Sequence, residues 1–266
     1  MARWRPTPGG VSVVGGRYVG VMYSRNSNFQ EPDASCTVWR YMDLARLVSI
    51  LGNAALWFPR ADQLSDSHEG AVGSLSRERF LTTYAKEWSP DVLRNVDAMN
   101  RELRSTVFIS CWHLSEFESA AMWDIYANRS QGIAVRCAYG NLRESLLGDH
   151  DIFMSRVAYV DPDKVEIPRY DRPILTPFTY KRLSYSYESE VRAMIYSPPD
   201  RPTVGRRHDE GPFGISVPVN VEHLVSDVLV APGLPTWYAQ SVRMAVHAFA
   251  PTITVHQSSL DQDPVF

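Results

Sequence analysis

The sequence predicts an α+β domain built on a mixed, mostly antiparallel central sheet flanked by helices. Short runs with strand character and runs with helical periodicity follow one another without the strict alternation that a parallel sheet needs. The 266 residues are 44% hydrophobic and 21% charged, enough to bury a sizeable core in one domain. No internal repeat divides the chain into copies.

Residues 1–35 are rich in Gly, Pro, Ser and Asn and read as a flexible arm holding one strand or hairpin; residues 36–266 form the domain. Thr37-Val38-Trp39-Arg40-Tyr41 alternates and is β-prone. Asp43 then suits an N-cap, Leu44, Leu47, Val48 and Leu51 recur with helical spacing, and Gly52-Asn53 supplies the stop. Ala55 to Phe58 reads as a brief buried strand ended by Pro59, and Asp62 to Gly73 as a polar loop. Two helices broken at Ser89-Pro90 follow, then a central strand from Val107 to Trp112. Ser115-Glu116-Phe117-Glu118 has the form of a capping box opening a helix to about Ala127. Strands are expected at Gly132–Cys137, Ile152–Val160, Glu188–Tyr196, Ile215–Val219, Leu224–Val230 and Thr252–His256, with helices at Asn141–Leu147 and Trp237–Phe249. Residues 161–180, with four prolines, read as a long excursion or lid.

Twenty-seven Lys and Arg against 30 Asp and Glu leave a formal charge of −3, so there is no strong electrostatic case for nucleic acid. No apolar run is long enough to span a membrane, and no apolar stretch follows Arg3 and Arg5 as a secretory signal would require. Cys36, Cys111 and Cys137 are scattered and lack a CxxC, which suits reduced thiols in a cytoplasmic protein. GxGxxG, Walker, HExxH and GxSxG fingerprints are absent.

Four clusters have the chemistry for a site. Arg40, flanked by aromatics on a buried strand, needs a carboxylate or a phosphate; it is either a structural ion-pair partner or a bidentate clamp for an anionic ligand. Ser110 sits toward the end of a central strand beside Cys111-Trp112-His113, placed to hydrogen-bond a ligand or a neighbouring strand. Met122, Trp123 and Tyr126 on one helix are core residues or, for Trp123 and Tyr126, walls for a flat ring, with Glu118 as the cap. On a strand, Glu188 and Glu190 share one face, as an exposed pair partnered by Arg192 and Arg40 or as a catalytic carboxylate with a helper. Asp62, Asp66, His68 and Glu69 match no metal-ligand spacing and read as solvated charge, as does Arg206-Arg207-His208.

From about Thr37 to Leu260 the chain resembles the bacterial domain-of-unknown-function family numbered 2971. The carriers are Trp39-Arg40-Tyr41, Leu56-Trp57-Phe58-Pro59, Asp66-Ser67-His68-Glu69-Gly70, Ile109-Ser110-Cys111-Trp112, Glu118 through Tyr126, Gly132-Ile133-Ala134-Val135, Tyr187 through Arg192, and Val255 through Leu260. Members often lie among bacterial defence genes. The order of an arginine on the first core strand, a serine on a middle strand and an ExE on a late one is also similar to the R-S-E group of ADP-ribosyltransferases. That resemblance implies NAD as substrate, with no metal. Arg40 would hold the NAD phosphates, Ser110 would orient the nicotinamide ribose, and Glu190 would bond the ribose 2′-hydroxyl and stabilise an oxocarbenium-like transition state. Glu188 would activate an acceptor macromolecule, while Trp112, Trp123 and Tyr126 would bound the nicotinamide.

The expected function is therefore an NAD-dependent ADP-ribosyltransferase acting as a bacterial toxin or phage-defence effector. The alternative is a non-enzymatic ligand-sensing or partner-binding module of a defence system. Metal-dependent hydrolysis of a nucleotide or nucleic acid through His68, Glu69 and His113 is a third reading.

Overall fold

The computed structural model describes residues 12–14, 17–21, 23–84, 86, 88–127, 131–168, 173–198 and 212–264. Fourteen strands lie in these segments: β1 (Ser12–Val14), β2 (Arg17–Val21), β3 (Thr37–Asp43), β4 (Ala55–Pro59), β5 (Val107–Leu114), β6 (Gly132–Ala138) and β7 (Leu147–Gly148) in the first half of the chain. The second half holds β8 (Ile152–Arg156), β9 (Ala158–Val160), β10 (Tyr180–Arg182), β11 (Glu190–Tyr196), β12 (Gly214–Pro218), β13 (Asp227–Val230) and β14 (Thr254–Gln257). The helices α1 (Leu44–Asn53), α2 (Ser74–Tyr84), α3 (Pro90–Leu103) and α4 (Ala120–Tyr126) are followed by helices at Tyr139–Ser145, Val221–Leu224 and Thr236–Phe249.

Seven strands form one α+β sheet in the order β14-β13-β6-β3-β5-β11-β8, antiparallel throughout except for the parallel pair β13 and β14. Alternation along the strands divides the core. Val38, Met42, Phe108, Trp112 and Val191 face α1 and the Thr236–Phe249 helix, and Trp39, Tyr41 and Trp123 pack on the opposite side. Helix α1 starts where the sequence predicts: Asp43 Oδ1 accepts from Arg46 N at 2.8 Å, and Leu47, Ile50 and Leu51 are its buried stripe. It ends two residues later than Gly52 suggested, with Ala54 in the left-handed region at φ 46°.

The sheet has a flaw at its centre. Strand β3 pairs with β6 from Thr37 to Asp43, and β5 pairs with β11 from Val107 to His113. Between β3 and β5, however, register is kept only at Val38↔Leu114 and Trp39↔His113 among the described residues. Beyond those two pairs the strands part, leaving a wedge between the half-sheets β14-β13-β6-β3 and β5-β11-β8.

Several expected boundaries move, each for a local reason. The strand expected from Glu188 begins at Glu190, because Leu183–Glu188 is a 3₁₀ turn closed by Ser189 at φ 41°. Ile152–Val160 is two strands: Val157 gives its N–H to Glu190 O at 2.9 Å, after which β9 leaves the main sheet to pair with β10. Leu224 ends a helical turn capped by Asn220, so the following strand starts at Asp227. The Ser115 box opens no helix; Ser115 Oγ donates to Phe117 O at 2.7 Å, and Ser119 is the N-cap of α4. Strand β4 belongs to a separate ribbon with β12, buried at Leu56 and Phe58 and exposed at Trp57.

Candidate active site at the split in the sheet

A cleft of about 690 Å³ occupies the wedge. Arg40, Tyr41 and Met42 line it from β3, and Cys111, Trp112 and His113 from β5. Because it opens between strands, residues from opposite faces of the sheet reach one cavity: Arg40 and Trp112 from the α1 side, His113, Glu188 and Glu190 from the other.

Arg40 is half-buried and spans the gap. Its Nη1 donates to Ser110 Oγ at 2.8 Å, its Nη2 to Trp57 O at 3.2 Å, and its guanidinium lies 5.6 Å from the Trp112 ring centroid. No carboxylate pairs with it among the described residues. Burial pushes it down to about 10, so the charge persists at neutral pH. This is a desolvated cation at a cavity wall without an anion of its own.

The opposite wall is acidic. Glu190 is buried, and its Oε2 accepts from Arg192 Nε at 2.7 Å while its Oε1 accepts from Lys181 Nζ at 2.8 Å. Glu188, buried at the end of the 3₁₀ turn, accepts from the same Lys181 and from Tyr126 O–H at 2.5 Å. Glu69 binds Arg192 twice, at 2.6 and 2.8 Å, and lies 3.6 Å from Lys181. Three carboxylates thus share two cations. Burial would raise the Glu190 carboxyl, but Arg192 and Lys181 hold it well below the usual carboxylate range. Burial and the neighbouring Glu190 raise Glu188 to about 7, so within this pair Glu190 stays ionised and Glu188 exchanges its proton near neutrality. Burial also works against the charge of Lys181, yet Glu190 and Glu188 outweigh it and keep the ammonium protonated.

The left-handed Ser189 explains how both acids reach Lys181. On a continuous strand, Glu188 and Glu190 would point side by side; here the chain reverses between a 3₁₀ turn and β11, and both side chains converge from different directions. The expected partners were Arg192 and Arg40. Arg192 is one, Lys181 is the other, and Arg40 stands across the cleft. Nor is the pair exposed, as both glutamates are buried.

The remaining candidates divide. Tyr126 lines the cleft openly, whereas Trp112 borders it as a buried ring beneath the Arg40 guanidinium. Ser110 is fully buried behind Arg40, with Trp112 Nε1 donating to the same hydroxyl oxygen at 3.1 Å. Trp123 is fully buried behind Tyr41, edge-on at 4.9 Å, and donates to Glu118 Oε2 at 3.0 Å. Glu118 does not cap α4; it clasps Ser258 and Ser259, tying the C-terminal segment to the sheet. His113 lines the cleft with Nδ1–H donated to the Glu188 carbonyl at 2.6 Å; burial lowers its pKa, keeping it neutral near pH 7 with Nε2 as an acceptor.

Two sequence readings need correction. Asp66 and Glu69 are not solvated: Asp66 is buried against Arg182 at 2.9 Å, and Glu69 is the buried partner of Arg192. Lys181 and Glu69, which complete the acidic wall, were missed. The available signal was Arg192 itself, an arginine amid the buried Val191, Ala193, Met194 and Ile195, which requires a carboxylate. Arg206-Arg207-His208 lies outside the described residues. Among the described residues no His, Cys, Asp or Glu group is arranged to hold a metal ion, and no helix is long and apolar enough to cross a membrane.

No family model matches the chain, including that of the family numbered 2971, and no curated protein matches it. Among solved structures it is similar to Thermus sp. 2.9 DarT in complex with carba-NAD+, at 10% identity and a TM-score of 0.38, covering 88% of this chain and 100% of that one. The same protein in complex with NAD+ gives 9% identity and a TM-score of 0.38, covering 87% and 99%. Its complex with ADP-ribosylated ssDNA gives 8% identity and a TM-score of 0.36, covering 86% and 95%. A likeness this loose assigns neither a family nor a reaction.

Proposed function

We propose that the chain is an NAD-dependent ADP-ribosyltransferase. The observation that carries this reading is the Arg40 guanidinium, desolvated and without a carboxylate among the described residues, facing across one cleft an acid wall with more carboxylates than cations. Such a cavity suits a ligand that is anionic at one end and develops positive charge at the other. NAD is such a molecule: its pyrophosphate matches a bidentate guanidinium, and its nicotinamide ribose becomes cationic as the glycosidic bond breaks.

In this reaction the bond from ribose C1′ to the nicotinamide nitrogen breaks, and its electron pair neutralises the pyridinium that leaves. Glu190, kept ionised by Arg192 and Lys181, faces the positive charge that spreads over C1′ and the ring oxygen. A lone pair of the acceptor then forms the new bond to C1′, and its proton passes to Glu188, whose pKa of about 7 suits that transfer. Trp112 and Tyr126 bound the nicotinamide, Ser110 acts through Arg40, and Trp123 backs Tyr41. The acceptor in this reading is a macromolecule, and the role is that of a bacterial toxin or phage-defence effector in the cytoplasm.

One observation favours a second reading. Both Glu190 oxygens are already engaged, which also suits a structural acid in a ligand-sensing or partner-binding module. The discriminating experiment is release of nicotinamide from NAD by the full chain and by Glu190→Gln. Turnover by the parent, lost in the variant with the fold retained, supports the transferase; no turnover with any acceptor supports the module.

A further inference from the structure

Strand β4 turns Leu56 and Phe58 into the core and leaves Trp57 51% exposed. The exposed indole is nevertheless fixed. A Cβ built on Gly214 would lie 2.3 Å from Trp57 Cζ2 and 2.4 Å from Cε2, so the six-membered ring rests on the main chain of β12 at a place only glycine leaves open. With Gly214 behind it, the indole borders the same cleft as Arg40. The Trp57 carbonyl also receives the Arg40 Nη2 at 3.2 Å, so ring and guanidinium are anchored to one stretch of backbone. A rigid aromatic plate costs little entropy to present, and beside an anion clamp it matches a ligand that joins a phosphate to a flat ring.

The geometry points to Trp57 as a stacking platform for a nucleobase, the base of a nucleotide whose phosphate Arg40 clamps. This deepens the transferase reading and rests on its assignment of Arg40 as an anion clamp. For NAD the stacked base is the adenine, which places the adenosine half at the β4 ribbon and the nicotinamide half toward Glu188 and Glu190. The same chemistry would arise from a base of an oligonucleotide acceptor, and the test separates the two sources.

Calorimetric titration of the full chain with AMP, nicotinamide mononucleotide, NAD and a short single-stranded DNA of mixed sequence provides that test. Aromatic–base stacking sets the expected effect of Trp57→Ala at about ten- to a hundredfold weaker binding of AMP and NAD. Nicotinamide mononucleotide, which lacks adenine, should keep its affinity. Trp57→Phe should restore most of the loss, and Gly214→Ala, which pushes the indole off its seat without deleting it, should weaken AMP in the same direction. A loss confined to the oligonucleotide keeps the stacking role and assigns the base to the acceptor. Unchanged affinities of Trp57→Ala for AMP, NAD and oligonucleotide overturn the proposal, even if nicotinamide release proceeds. Trp57-dependent AMP binding without any nicotinamide release instead removes the transferase and leaves the platform standing.

Discussion

Arg40 and Ser110 meet across the point where β3 and β5 separate: Nη1 of the arginine donates to the serine Oγ at 2.8 Å, and Trp112 Nε1 donates to that oxygen at 3.1 Å. The hydroxyl accepts twice and aims the guanidinium along the cleft. Ser110→Ala strands two buried donors, at a cost of about 1–3 kcal/mol in denaturant unfolding. If Ser110 acts through Arg40, the KM for NAD should rise severalfold with kcat nearly unchanged. A collapse of kcat at constant KM would instead put the hydroxyl against the reacting atoms.

Arg40→Lys should weaken NAD binding by about ten- to a hundredfold, because an ammonium cannot make the paired donation of a planar fork. Stability should change by no more than about 1 kcal/mol, since no carboxylate is orphaned. Equilibrium urea unfolding checks this; a loss of about 3–5 kcal/mol would reveal a broken buried ion pair and favour the binding-module reading.

Within the acid wall, Glu190→Gln should remove NAD turnover while leaving Glu69 to hold Arg192 through its two contacts of 2.6 and 2.8 Å. Arg192→Met should be far worse for the fold, about 3–5 kcal/mol, because Glu69 and Glu190 would then be buried with Lys181 alone. Paired melting curves of the two variants separate a chemical role from a structural one.

The pH dependence should follow Glu188. Its folded-state pKa of about 7 lies above that of the unfolded chain, so the native state favours the proton. Stability from this group is fully present below the ordinary glutamate range and declines as pH rises toward 7. Turnover should do the opposite, rising through about pH 7 as the carboxylate becomes able to accept the acceptor's proton. Glu188→Gln should flatten both limbs, and a rate profile that keeps its rise in this variant assigns the base elsewhere.

Backbone strain gives a test independent of chemistry. Ser189 holds φ 41° between the two glutamates. Ser189→Gly should be neutral or stabilising by up to about 1 kcal/mol, and Ser189→Val should destabilise by about 1–2 kcal/mol and slow turnover, because a β-branched residue resists that conformation.

Much of the sheet was legible in the sequence, because alternation and short apolar runs report directly on strands buried on one or both faces. Thr37–Tyr41, Val107–Trp112 and Gly132–Cys137 carry that signal, and β3, β5 and β6 lie where it falls. The acid wall was half legible. Glu188 and Glu190 announce themselves as charges in an apolar setting, but their partner Lys181 comes from β10, just past the proline-rich excursion, and Glu69 from a polar loop. No local periodicity links residues 69, 181 and 190, since tertiary pairing alone brings them together. The same holds for Ser189: its left-handed backbone closes the 3₁₀ turn, with its N–H donating to Ser186 O at 3.3 Å, and a serine there gives no hint of it.

The incomplete pairing of β3 with β5 gives this sheet two inner margins as well as its outer ones. Past Trp39 and His113 the facing flanks of β3 and β5 leave their ladder, and among the described residues pairing resumes on the β5 flank only where Phe108 bridges Arg60, so the peptide N–H and C=O groups between are freed from the ladder. A guest entering the gap meets main-chain polarity that no point substitution removes. Exchanging side chains around the opening can retune selectivity while this peptide-lined floor persists.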